Sequence, residues 1–246
     1  MIDTVTLDLW NTLISNTHQD ARRFRNLRIK GIVEVFLSAR IGISQEKVGK
    51  ALDLCYKKCW DLWAEDIDFS PQEQIEILMS FLPHPGKEPT PDLLKGIEKA
   101  YTEPVLESPS DLAEGSNEIL EYLKSERYKL GLICNTGRSP GKVLRKLMEH
   151  YKIFECFDVL SFSDELRIRK PHPQIFLLTL EKLKSMPSGS IHIGDELGTD
   201  VKGAKGVGMT AIHFNRGSSD YQEVQPDYSV RELKEIKGIV EELRQA

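Results

Sequence analysis

Asp8, Asn135, Lys170 and Asp195 follow one another along a chain of 246 residues, each at or soon after the end of an apolar run. A carboxylate, an amide, an ammonium and a second carboxylate suit chemistry at an anionic centre. Two carboxylates brought together repel unless a cation lies between them. Hard oxygen donors of this kind suit Mg²⁺. One carboxylate can also attack phosphorus or carbon and form a covalent intermediate. A lysine and main-chain N–H groups then neutralise the transferred group. Positioning and electrostatics are most of what phosphoryl transfer needs.

Each of these residues also has a plain reading. Asp8, Thr12 and Asn135 are residue types common in turns, and Asp195 could cap the helix after it. Lys170 and Asp200 could sit on a solvated surface. Convergence depends on the elements that carry them. Residues 3–9 alternate Val5, Leu7 and Leu9 with polar partners, which predicts a strand ending at or just past Asp8. From about 17 to 103 the period is helical, with no convincing strand. Helices are expected over 20–40 and from Ser44, Ser70-Pro71 and Thr90-Pro91, where a cap or a cap plus proline marks each start. Lys47 stands where a capping-box Glu would, so the second start has half that signal. A Pro/Gly breaker falls at 82–86.

Beyond about 107 strands and helices alternate. Strands are expected at 129–134, 157–162, 190–193 and 210–213. Helices are expected at 115–127, 140–151, 173–184, 197–206 and 230–244. This alternation predicts an α/β fold, a Rossmann-like parallel sheet with helices on both faces. The sheet domain takes residues 1–15 and 106–246. Residues 16–105 form an all-helical cap domain inserted after the first strand. Ligands bind outside the carboxyl ends of parallel strands, so an insertion there covers the site as a lid that excludes water and selects substrate.

Composition removes several classes. Apolar residues at 40% and charged residues at 29% fit a globular enzyme rather than a disordered chain. A net charge of −5 attracts neither nucleic acid nor membrane. No stretch approaches the roughly 20 apolar residues of a membrane span, and the start lacks a secretory pattern. Four cysteines without zinc spacing fit a reducing, cytoplasmic setting, with Cys55 and Cys59 on one helix face in a core. The run Arg22, Arg23, Arg25, Arg28, Lys30 is locally basic; it faces water, or one or two arginines, with Arg22 and Arg25 as candidates, look into an anionic substrate pocket. Tyr56, Trp60 and Trp63 are either pocket lining or core. A monomer or a homodimer is expected.

Four short motifs occur in order: Asp8-Leu9-Trp10-Asn11-Thr12-Leu13, the strand end Cys134-Asn135, Lys170-Pro171 with Pro173 and Phe176, and Gly194-Asp195 with Asp200. Together with the helical insertion they resemble the haloacid dehalogenase superfamily of hydrolases over essentially the whole chain. The resemblance implies that Asp8 is the nucleophile, and that Asp8, the Trp10 carbonyl and Asp195 hold Mg²⁺. It implies that Lys170 balances the nucleophile and the transferring group, that Thr12 ties down the first loop, and that Asn135 positions a small anionic substrate. Asp200 and Glu196 would support the metal, directly or through water. Cys134 and Thr136 would face the substrate.

Two positions depart from that pattern. Phosphatases of the superfamily carry a second aspartate two residues after the nucleophile, as general acid and base. Trp10 stands there, and an indole cannot exchange a proton in this range. Cys134 stands where Ser or Thr is usual. Trp10 leaves three readings open: a Mg²⁺-dependent phosphatase that lacks this acid, a metal-independent dehalogenase, and a ligand-binding protein impaired in catalysis. The dehalogenases carry an aromatic residue at that position, but they lack the metal aspartate in the form of Gly194-Asp195.

Overall fold

The computed structural model describes residues 2–82, 89–217 and 224–245. Six strands, β1 (Thr4–Leu7), β2 (Lys129–Cys134), β3 (Val159–Phe162), β4 (Ser190–Gly194), β5 (Thr210–Phe214) and β6 (Tyr228–Val230), form one sheet in the order β3-β2-β1-β4-β5-β6. All neighbours are parallel, with Leu7 opposite Leu132 on one side and Ile193 on the other. The first five strands are the expected ones within two residues at each end. The sixth is a correction: 228–230 pair with the edge of β5, and the terminal helix starts only at Ile236. Main-chain groups on the edge of β5 favour a short strand there over an early helix start, and Val230 is buried by it.

Alternation along the strands sorts side chains onto two faces. Val5 and Leu7, Leu130 and Leu132, Ile191 and Ile193 join one apolar cluster, with Leu120, Leu144 and Val240 from the helices Ser116–Ser125, Gly141–His150 and Ile236–Gln245. Ile133 and Ala211 face the opposite way, onto Ile175, Phe176 and Ala204 from the helices Pro173–Leu183 and Lys202–Gly206. Helices therefore cover both faces, as expected.

The segment between β1 and β2 is helical among the described residues, with α1 (His18–Ser38), α2 (Gln45–Trp63), α3 (Pro71–Ser80) and α4 (Pro91–Thr102). The expected starts have physical caps. Thr17 and Asp20 form a full capping box, as do Ser70 and Glu73. Ser44 and Thr90 each accept from the main-chain N–H three residues on. Most of the breaker, 83–86, lies outside the described residues. These helices share an apolar cluster of their own, containing Ile32, Phe36, Cys55, Cys59, Leu78 and Ile97. Phe24 and Val105, near the two ends of the segment, belong to the sheet's cluster instead.

β1 lies between β2 and β4, where the order of the strands reverses. In open parallel sheets a crevice opens there, outside the carboxyl ends.

Candidate active site

β1 ends at Leu7, so alternation turns Asp8 away from the cluster that takes Leu7 and Leu9. The Asp8 N–H donates to the Ile193 carbonyl at 2.9 Å, which fixes the strand end against β4. Asn11 then turns the chain at φ 57°, a left-handed conformation that Asn tolerates, and its side chain accepts from the Asn16 N–H at 3.0 Å.

Lys170 is the centre of the cluster. Its buried ammonium donates to Asp8, to Asp200 Oδ1 at 2.7 Å and to the Ile133 carbonyl at 2.7 Å. Asn135 at the end of β2 grips the Lys170 main chain from both sides, donating to its carbonyl at 3.0 Å and accepting from its N–H at 2.9 Å. The Asn135 amide is thus engaged with the Lys170 main chain. The last strand residue before Asp195 is Gly194, where a Cβ would lie 2.2 Å from Asp200 Cγ. Only glycine lets the Asp200 carboxylate fold back there. A widened π-type turn over Leu197–Val201 returns Asp200 to the sheet, in place of the ordinary helix start expected.

Asp200 is held on both oxygens. Oδ1 accepts from His192 Nε2 at 3.0 Å as well as from Lys170, and Oδ2 accepts from the Glu196 N–H at 3.1 Å. Burial keeps His192 neutral by pulling its pKa down, so Nε2–H donates to Asp200 and Nδ1 accepts from Thr6 Oγ1 at 2.8 Å. Neither His192 nor Thr6 was singled out in the sequence. The signal was there: a histidine between two isoleucines in an apolar strand, on the face opposite to theirs.

Carboxylate oxygens of Asp8, Asp195 and Asp200 all lie within 4.8 Å of one another. Burial pushes Asp8 up to about 7 against the pull of Lys170, and burial followed by the charges of Asp8 and Asp200 pushes Asp195 up to about 8. Burial also acts to raise Asp200, but Lys170 and His192 outweigh it and hold that carboxyl well below the usual range. Burial opposes the charge on Lys170, yet Asp200 and Asp8 hold its pKa well above the usual lysine value. Fully ionised, the three carboxylates would exceed the Lys170 ammonium beside them by two negative charges. Oxygen donors with that excess fit a divalent cation.

Other candidates are placed differently. Cys134 is fully buried in the sheet's apolar cluster, so it packs rather than facing substrate. The Thr12 hydroxyl is buried without a hydrogen-bond partner among the described residues. The Thr136 N–H donates to Ser163 Oγ at 2.9 Å, and Ser163 donates to the buried Asp68 of the helical layer. Asp68 also accepts from Trp63 Nε1 at 2.8 Å and Arg169 at 3.3 Å. Glu196 is exposed and accepts from Thr199 Oγ1 at 3.1 Å.

A cavity of about 210 Å³ lies between the helical layer and the strand ends. Trp10, Phe24, Tyr56 and Trp63 give it apolar walls, and Asn135, Thr136, Arg28 and Arg138 add polar groups. Trp10 is therefore a wall of this cavity, which adjoins the cluster through Asn135 but is not lined by Asp8, Lys170, Asp195 or Asp200. Trp60 is exposed at 61% and lies outside it. Arg22 is exposed and Arg25 is paired with Asp53 at 2.8 Å, so neither lines this cavity. Arg28 takes the place expected of them. Phe24, Arg28, Ile32 and Phe36 recur every four residues and are all buried, so the apolar stripe of α1 carries Arg28 inward while Arg22 and Lys30 face out. A larger cavity, about 680 Å³, lies beside Gly115 and Leu233, away from the carboxylates.

A buried carboxylate–lysine cluster thus lies at the switch point of a parallel sheet, under a helical layer. The chain belongs to the haloacid dehalogenase-like hydrolase family, whose model matches residues 2–208. It is 33% identical over 132 residues to glyceraldehyde 3-phosphate phosphatase of Pyrococcus furiosus, covering 52% of this chain and 53% of that one. It is 29% identical over 134 residues to phosphoglycolate phosphatase of Nitrosococcus oceani, covering 53% and 58%. These matches thus span little more than half the length of either relative. The fold is shared with 2-haloacid dehalogenase of Pseudomonas syringae, with a TM-score of 0.72, 20% identity and coverage of 99% and 100%.

Proposed function

We propose that this protein is a Mg²⁺-dependent phosphatase of a small phosphorylated metabolite, acting through a covalent intermediate on Asp8. The observation that carries this reading is the cluster of Asp8, Asp195 and Asp200 carboxylates within 4.8 Å of one another, against which the described residues set the one ammonium of Lys170, bonded to Asp8 and Asp200. The phosphatase names of the relatives support it.

Asp8, Asp195 and the Trp10 carbonyl would hold Mg²⁺, with Asp200 behind them. Among the described residues no main-chain N–H donates to that carbonyl. Bound Mg²⁺ supplies charge neutralisation for the transferring phosphoryl group. The Asp8 carboxylate attacks phosphorus, the bond to the leaving oxygen breaks, and water then hydrolyses the acyl phosphate. Lys170 orients Asp8 and offsets charge at phosphorus. Asn135 holds Lys170 in register, and His192 with Asp200 steadies it from the other side. Among the described residues no carboxylate lines the cavity near Trp10, so no acid there is placed to protonate a leaving group. General acid catalysis is typically worth about 10²–10⁴-fold, so good leaving groups are favoured. Residues 16–105 act as a cap over a core formed by 1–15 and 106–246. Four free cysteines support a reducing, cytoplasmic setting, and no described helix is long and apolar enough to cross a membrane.

Trp10 in the cavity wall favours a second reading, attack on carbon with release of halide and no metal. Hydrolysis of 4-nitrophenyl phosphate with and without Mg²⁺, in the wild type and in Asp8→Asn, separates the readings. Mg²⁺-dependent turnover lost in Asp8→Asn is expected. Chloride release from a 2-chloro acid in chelator would establish the dehalogenase instead. Binding without turnover of either would mark a ligand-binding protein.

A further inference from the structure

We propose that the substrate bears a second acid group, a carboxylate, which Arg28 and Arg138 receive inside the cavity between the helical layer and the sheet. The proposal rests on the phosphatase reading and narrows it to phosphorylated carboxylic acids.

Arg28 is 5% exposed, and its Nε donates to the Tyr101 carbonyl at 2.7 Å. That one bond fixes the fork and leaves both terminal NH₂ groups without a protein acceptor among the described residues, where Arg28 has no carboxylate partner. Arg138 comes from the other side, on the loop after β2, three residues beyond Asn135. It lies over the Tyr56 ring with its guanidinium carbon 4.1 Å from the centroid, and no described acidic residue pairs with it. Both arginines line the same cavity and share a recess of about 20 Å³. Asp53 borders the recess, but Arg25 binds both of its oxygens, at 3.0 and 2.8 Å. Among the described residues no Asp or Glu lines the main cavity.

A buried guanidinium without an anion is strongly disfavoured, and two facing one space repel. Burial and Arg138 together pull Arg28 down to about 9. A carboxylate from the ligand relieves both penalties, because the planar fork matches it with two parallel bonds. The cavity, about 210 Å³, falls below the roughly 300–1,000 Å³ of sites for drug-sized ligands, which suits a small phosphorylated acid. The two relatives differ at this point: one is named for a phosphorylated aldehyde and the other for a phosphorylated acid. The arginine pair selects the acid.

The test measures calorimetric binding of phosphoglycolate and of glyceraldehyde 3-phosphate, with Mg²⁺, to the full chain carrying Asp8→Asn, so that affinity is read without turnover. Phosphoglycolate is expected to bind about 10- to 100-fold more tightly, the range for a hydrogen-bonded charge pair. Adding Arg138→Gln, or Arg28→Lys, is expected to remove most of that preference. Arg138 is half-buried on a loop, so its variant carries the test if the buried Arg28 variant fails to fold. Equal affinities, or a preference that persists in Arg138→Gln, would overturn the proposal. Wild-type turnover of 4-nitrophenyl phosphate is read alongside. Its failure with the preference intact rejects the phosphatase reading and leaves the two-acid ligand standing.

Discussion

Lys170 Nζ lies 2.7 Å from Asp200 Oδ1, and the same ammonium donates to Asp8. One cation thus ties the end of β1 to the turn after β4. Lys170→Met leaves three carboxylates close together without it. Removing one partner of a buried pair typically costs about 3–5 kcal/mol, so a large drop in the urea midpoint and complete loss of turnover are expected. In Lys170→Met/Asp200→Asn the stability loss should be smaller than the sum of the single losses, since the two residues share one interaction. Additive losses would mean that the pair is not coupled.

Gly194→Ala places a methyl where Asp200 sits, 2.2 Å from its Cγ. Overpacking of this kind costs about 1–3 kcal/mol, and Asp200 must leave Lys170 and His192. Thermal unfolding should show the loss, and Mg²⁺-dependent turnover should fall with it. A variant as active and stable as the wild type would show that Asp200 is free to sit elsewhere.

Thr12→Val removes a buried hydroxyl that has no described partner. A buried unsatisfied group costs about 1–3 kcal/mol, so the variant should be as stable as the wild type or more so in a urea titration. A clear drop in the midpoint would reveal a hydroxyl contact that holds the first loop.

Glu73 of α3 pairs with Arg167, just after β3, and joins the helical layer to the sheet. Hydrogen bonds from Arg167 hold Glu73 down at about 2, below its ordinary 4.5. A lowered folded pKa adds stability above the unfolded value, and that stability is lost as pH falls toward 2. The pair is about half exposed, so its worth is at most about 1 kcal/mol. Arg167→Gln should lower the melting temperature near pH 7 by no more than roughly 2–4 °C, with the difference shrinking as pH falls below 4.5. A difference that stays constant from pH 7 to pH 3 would assign the effect to packing instead.

The first five strands, the helix caps and the choice of Asp8, Lys170, Asp195 and Asp200 as candidates were readable from local pattern. Each depends on neighbours in the chain: alternation in a strand, a hydroxyl or carboxylate three residues before a free N–H, a charged residue where an apolar run stops. Parallel pairing then had to carry those ends to one edge. What side chains do across elements was not readable. Asn135 spends its amide on the Lys170 main chain 35 residues away, and Cys134 turns into the core because β2 places it on the apolar face. The edge strand Tyr228–Val230 exists because β5 offers it partners, not because three residues announce a strand. Composition marked a basic run on α1 but not its inward member, although the four-residue stripe through Phe24, Ile32 and Phe36 passes through Arg28. Periodicity could name the buried face of that helix. Only the folding of α1 against the loop after β2 made that face, with Arg138 opposite, the wall of a cavity.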